Sequence, residues 1–108
     1  MMTINEISAT ELQHMRDNGA PHQLIDVREP YEAELCSIGG TLIPMAEIVD
    51  RCDELRRDVP VVIHCRTGAR ATAVVQALTN RYGFTNLHNL KGGIVAFASD
   101  VDSNIFCD

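Results

Sequence analysis

The chain is short of basic side chains. Lys and Arg number nine against fifteen Asp and Glu, and the formal net charge is -6. A surface with that balance does not attract a polyanion, so nucleic acid is not expected among the partners and any basic patch must be local. Also missing is any apolar run near the ~20 residues that span a bilayer, so no membrane is expected either. The opening stretch, Met1 to Glu6, has neither a basic n-region nor an apolar h-region, and no secretory signal is read there. A cytoplasmic protein with reduced thiols is therefore the expectation. The four cysteines, Cys36, Cys52, Cys65 and Cys107, form no CxxC pair and no zinc spacing, so no metal is expected, and no motif asks for a cofactor. Repeats, low-complexity tracts and linkers are absent as well. What is present is ordinary for one globular domain: 108 residues, 45% hydrophobic and 22% charged.

Short apolar runs alternate with helical patterns along the chain. Thr3 to Ile7 reads as a short edge strand. Ser8 and Glu11 fit a capping box, with Ile7 and Leu12 as its hydrophobic staple, for a helix to about Asn18 that Gly19 stops. Gln23 to Val27 is a buried strand, and Pro30 opens a short helix to about Leu35. Gly39-Gly40 precedes a third strand, Thr41 to Pro44. Met45, Ile48, Cys52 and Leu55 form one stripe of an amphipathic helix. Pro60 to Ile63 is β-branched and apolar, as in a strand buried on both faces. Ala71, Val74, Val75 and Leu78 mark the inner face of the next helix, which runs to Arg81-Tyr82 with Gly83 as its cap. A last strand around Asn86 to Leu90, the turn Lys91-Gly92-Gly93 and a short helix from Ile94 to Ala98 complete a core of about residues 3–99. Residues 100–108 read as a polar, flexible tail. This order predicts a single α/β domain with a mostly parallel sheet, helices on both faces and right-handed crossovers.

The chemistry is expected at Cys65-Arg66-Thr67-Gly68-Ala69-Arg70, between the end of the Pro60–Ile63 strand and the start of a helix. Backbone N–H groups of such a turn converge on an anion, and the helix adds its positive end. Arg66 and Arg70 add full charges, Gly68 permits a positive φ, and the Thr67 hydroxyl has the reach to donate to the sulfur. Each of these favours thiolate over thiol, so Cys65 is the expected nucleophile of an anion-binding loop.

Four stretches, taken together, resemble the rhodanese-like sulfurtransferase superfamily, in particular its single-domain members. They are Leu24-Ile25-Asp26-Val27-Arg28-Glu29, Ile38-Gly39-Gly40-Thr41-Leu42-Ile43-Pro44, the Cys65 loop, and Leu90-Lys91-Gly92-Gly93-Ile94, in the family's order and spacing. The resemblance implies a five-stranded parallel sheet. It also implies a ping-pong reaction in which Cys65 takes sulfane sulfur from an anionic donor such as thiosulfate and passes it, as a persulfide, to a nucleophilic acceptor. The chain departs from the family where Gly-His-Ile-Pro-Gly-Ala is usual: it has Cys36-Ser37-Ile38-Gly39-Gly40-Thr41. Phe97 stands near a position often held by tryptophan. Residues 92–98 are similar to rhodanese domains at the end of adenylyltransferases, which hints at a small carrier protein as sulfur acceptor. Phosphatases and arsenate reductases of this fold use a Cys-to-Arg loop one residue longer, so that reading ranks below sulfur transfer. A non-catalytic binding module of the same fold is the other alternative.

Other residues read more plainly. Asp26 and Arg28 are expected to support the site structurally, as an ion pair or turn anchor. His64 either tunes the thiol or makes a core contact, and the core contact is preferred. Cys52 lies on an apolar stripe. Cys36 is read as a packed thiol and Cys107 as an incidental one, with a resolving or sulfur-accepting role as the alternative for each.

Overall fold

A buried strand at the centre of the sheet positions everything else. The computed structural model describes residues 5–107. Its strands are β1 (Glu6–Ile7), β2 (Gln23–Asp26), β3 (Thr41–Leu42), β4 (Val61–His64) and β5 (Leu87–Leu90). They pair in the order β1-β5-β4-β2-β3. Every pairing is parallel. The helices are α1 (Ala9–Asp17), α2 (Pro30–Leu35), α3 (Ala69–Tyr82) and α4 (Gly93–Asp100).

Side-chain alternation splits the core into two layers. From β4, Val61 and Ile63 join Ile25 and Val27 of β2 and its exit, and pack against Ala71, Val74, Val75 and Leu78 of α3. Val62 and Leu24 face the other way, against Leu12 of α1 and Ile94 and Phe97 of α4. All four β4 residues are buried, which is why that strand reads as an unbroken apolar run. The Ser8–Glu11 capping box forms in both directions, with Glu11 N–H donating to Ser8 Oγ at 3.0 Å and Ser8 N–H to Glu11 Oε1 at 3.2 Å. Gly19 and Gly83 end α1 and α3 in left-handed conformations. The part of the expected first strand at Thr3 and Ile4 lies outside the described residues.

Three expectations need correction. The stripe from Met45 to Leu55 is not one α-helix but two 3-10 turns, Met45–Glu47 and Cys52–Glu54. Its apolar residues recur mostly at intervals of three, which suits a 3-10 turn as well as an α-helix, and Ile48 and Leu55 are buried either way. Residues 100–107 differ from the expected loose tail: α4 runs to Asp100, and Val101, Ile105 and Cys107 pack against the α1–α4 layer. Lastly, Cys36 and Cys107 are not separate thiols but a disulfide, with Cα atoms 5.0 Å apart. Parity of cysteine count could not reveal this, because the two are 71 residues apart and meet only once α4 has returned the chain to the end of α2.

Candidate functional site: a cysteine loop at the end of the central strand

β4 delivers Cys65 to the carboxyl edge of the sheet, where parallel α/β folds open their crevices. The chain turns through Arg66 and Thr67 to Gly68, whose φ of +111° only glycine adopts readily, and enters α3 at Ala69. The turn folds the backbone over the sulfur. Gly68 N–H donates to Cys65 Sγ at 3.1 Å and Ala71 N–H at 3.4 Å. Cys65 is 1% exposed, so these amides, and not water, are the immediate surroundings of the sulfur.

The amino end of α4 holds the loop from behind. Ile94 N–H donates to the Cys65 carbonyl at 2.9 Å and Val95 N–H to the Arg66 carbonyl at 3.1 Å. A Cβ on Gly93 would stand 2.3 Å from the Arg66 oxygen and 2.5 Å from the Cys65 oxygen. The Gly-Gly turn is thus a close backbone approach that clamps the Cys65 loop.

Arg70, expected among the anion-binding residues of the loop, is paired with a carboxylate. Its Nη1 and Nη2 donate to the two carboxylate oxygens of Glu32, at 2.7 and 2.9 Å. The hydrogen bond from Arg70 is the largest cause holding the Glu32 carboxyl down at about 2, against a usual 4.5. Glu32 raises Arg70 in return. Sequence reasoning missed Glu32. The signal was available: β2 and β4 are parallel neighbours, so the first turn of the helix after β2 lies beside the loop after β4. Arg66 and Thr67 are exposed at the rim.

Behind the loop sits a buried polar cluster. Arg28 donates to Asp26 through Nε and Nη2 at 2.9 and 2.7 Å, with both side chains 2% exposed. Its Nη2 also reaches the Cys36 carbonyl at 2.7 Å, and its Nη1 approaches Cys36 Sγ at 3.3 Å. His64 pairs in register with Asp26. Its Nε2 is 3.9 Å from Asp26 Oδ2, and neither ring nitrogen has a hydrogen-bond partner among the described residues. Burial, only partly offset by Asp26, pushes the imidazole down to about 4, so His64 is neutral at physiological pH. Its side chain and that of Cys65 alternate to opposite faces. Among the described residues no cluster of His, Cys, Asp and Glu is arranged to hold a metal ion.

The site is a parallel α/β domain's strand-end cysteine, cradled by amides of the turn and of the next helix. The chain belongs to the rhodanese-like domain family, whose model matches residues 8–100. It is 33% identical over 98 residues to the adenylyltransferase and sulfurtransferase MOCS3-1 of Drosophila pseudoobscura pseudoobscura, a match covering 83% of this chain but 22% of that protein. The chain therefore spans about a fifth of that relative. A rhodanese-like domain protein from Staphylococcus aureus has the same fold, with a TM-score of 0.80 and 25% identity over 97% of this chain and 99% of that one. The thiosulfate sulfurtransferase of Pseudomonas aeruginosa also superposes with a TM-score of 0.80, at 28% identity, over 89% of this chain and 19% of that one. No helix among the described residues is long and apolar enough to cross a membrane.

Proposed function

We propose that this chain is a sulfurtransferase that carries sulfane sulfur on Cys65, with a small anion such as thiosulfate as donor and a nucleophile, a protein among them, as acceptor. The observation that carries the reading is the pair of backbone amides aimed at Cys65 Sγ from the turn and the first turn of α3. Such donors stabilise a thiolate, and they are equally suited to the terminal sulfur of a persulfide. The sulfurtransferase names of relatives to which the chain is similar support the same class.

The reaction needs no other group. The Cys65 thiolate attacks the outer sulfur of thiosulfate, the S–S bond breaks, and sulfite departs with the electron pair. An acceptor thiolate or cyanide then attacks the outer sulfur of the persulfide, and Cys65 leaves as thiolate. Sulfite is a stable anion, so no general acid is required, in contrast to the alkoxide of a phosphate monoester. Glu32 and Arg70 form one neutral pair at the rim, where an incoming anion exchanges contacts with the arginine. A cytoplasmic location belongs to this reading, with the Cys36–Cys107 bond as a redox-active one, since purely structural disulfides are rare in a reducing compartment.

The test is mass spectrometry after exposure to thiosulfate. One added sulfur is expected, mapped to Cys65, and none in Cys65→Ser, whose transfer to cyanide falls to background. If Cys65→Ser transfers sulfur as well as the wild type, the proposal is wrong.

A further inference from the structure

The disulfide stands between two cavities. One, of about 260 Å3, is lined by Arg28, Tyr31, Glu32, Leu35, Arg66 and Cys107. It joins the rim of the nucleophile loop, at Arg66, and the partner of its arginine, Glu32, to the Cys107 side of the disulfide. The other, of about 380 Å3, lies between the end of α2 and residues 104–106 and is lined by Cys36 but not Cys107. Thus Cys107 lines the cavity that reaches the loop at Arg66, and Cys36 lines a separate opening. In addition, the Arg28 guanidinium lies 3.3 Å from Cys36 Sγ, where it stabilises a thiolate set free by reduction. Cys36 itself stands where the family usually has glycine.

We propose that Cys107 and Cys36 are an internal dithiol that strips the persulfide from Cys65 and releases it as sulfide, making the chain a dithiol-dependent thiosulfate reductase. The proposal rests on Cys65 being the sulfur carrier. An external dithiol, entering on the Cys36 side, first reduces the disulfide by thiol exchange. Reduction removes the covalent tie of Cys107, which already lines the cavity that reaches the loop rim at Arg66. The Cys107 thiolate attacks the outer sulfur of the Cys65 persulfide, and Cys65 leaves as thiolate. Cys36 thiolate then attacks the inner sulfur of Cys107, the disulfide forms again, and the outer sulfur departs as hydrosulfide. The outer sulfur gains two electrons, and the two cysteines lose them. Summed over a cycle, thiosulfate and a dithiol give sulfite, hydrosulfide, a disulfide and one proton.

The experiment is a single turnover. Protein reduced with dithiothreitol, freed of it and given thiosulfate without cyanide is followed for sulfide release, free thiols and sulfur mapped by mass spectrometry. One sulfide per chain is expected, with loss of the Cys36 and Cys107 thiols and a Cys65 left without added sulfur. Cys107→Ser should release no sulfide burst and keep the added sulfur on Cys65, whereas Cys36→Ser should carry it to Cys107 and stop there. Wild-type protein that keeps the sulfur on Cys65, or Cys107→Ser that releases sulfide at the wild-type rate, overturns the relay. Absence of any added sulfur on Cys65 in Cys107→Ser overturns the carrier reading instead, so the two failures are distinguishable.

Discussion

Acidification should break the Glu32–Arg70 pair within a defined window. The Glu32 carboxyl lies at about 2 when folded against a usual 4.5. A carboxyl held below its unfolded value contributes stability that is complete above the unfolded value and is lost as pH falls through the folded one. The window therefore runs from about pH 4.5 down to about pH 2. Taken at full weight the shift corresponds to roughly 3 kcal/mol. The Arg70 side chain is 34% exposed, however, so solvent screens part of the attraction, and a loss of about 1–2 kcal/mol is the better figure. Denaturant midpoints of wild type and Glu32→Gln, measured at steps of pH, isolate the contribution, because other carboxyls cancel in the difference. The two curves should converge on acidification within that window; curves that stay parallel throughout it refute the reasoning. The same variant leaves Arg70 with an uncompensated charge, so its KM for thiosulfate should fall several-fold while that for an uncharged persulfide donor stays put. Equal changes for both donors would remove Arg70 from anion binding.

The buried imidazole gives a second, higher window. His64 falls to about 4 on folding from a usual 6.5, so its contribution is present above pH 6.5 and is lost as pH falls through about 4. A loss of up to about 3 kcal/mol is expected, flattened in His64→Asn, and equal pH profiles for the two proteins would contradict it. Gly93→Ala should destabilise by about 3 kcal/mol, from its left-handed φ and the two α4-to-loop hydrogen bonds that displaced Cys65 and Arg66 carbonyls would break. Gly19→Ala, with a similar φ but nothing within 4 Å of the added Cβ, should cost only about 1 kcal/mol. Urea unfolding compares them, and a Gly93→Ala no worse than Gly19→Ala would deny the clamp.

Much of the architecture could be read from the chain because local signals agreed with the fold. Ser8–Glu11, Pro30 and Gly83 mark helix ends through caps that act within a few residues. Val61 to Ile63 announced a strand buried on both faces. The Cys65 turn was legible for the same reason, since its geometry follows from one glycine between a strand and a helix. The failures are all long-range or ambiguous in period. The Met45–Leu55 stripe fits two helix types, and packing chose between them. Glu32 meets Arg70 across 38 residues, and Cys36 meets Cys107 across 71, so neither pairing has a local sign.

The site is organised around backbone more than around side-chain charge. From sequence, Arg66 and Arg70 look like the electrostatic heart of the loop. In the structure Arg70 already has a carboxylate partner, so the pair presents little net charge to an approaching anion. Gly68 and Ala71 N–H groups, by contrast, are directed at the sulfur, and their position is fixed by β4, by α3 and by the α4 clamp on the Cys65 and Arg66 carbonyls. On the proposed role, a dipole held by that framework needs no reorganisation when charge moves from thiolate to persulfide and back, which is the condition for stabilising both ends of a transfer. In the same reading the rim pair exchanges partners with each incoming donor without disturbing the cradle. That division of labour explains why the loop tolerates Glu32 on its arginine. It also places the tightest constraint on the glycines, Gly68 through its φ of +111° and Gly93 through an added Cβ that would stand 2.3 Å from the Arg66 oxygen.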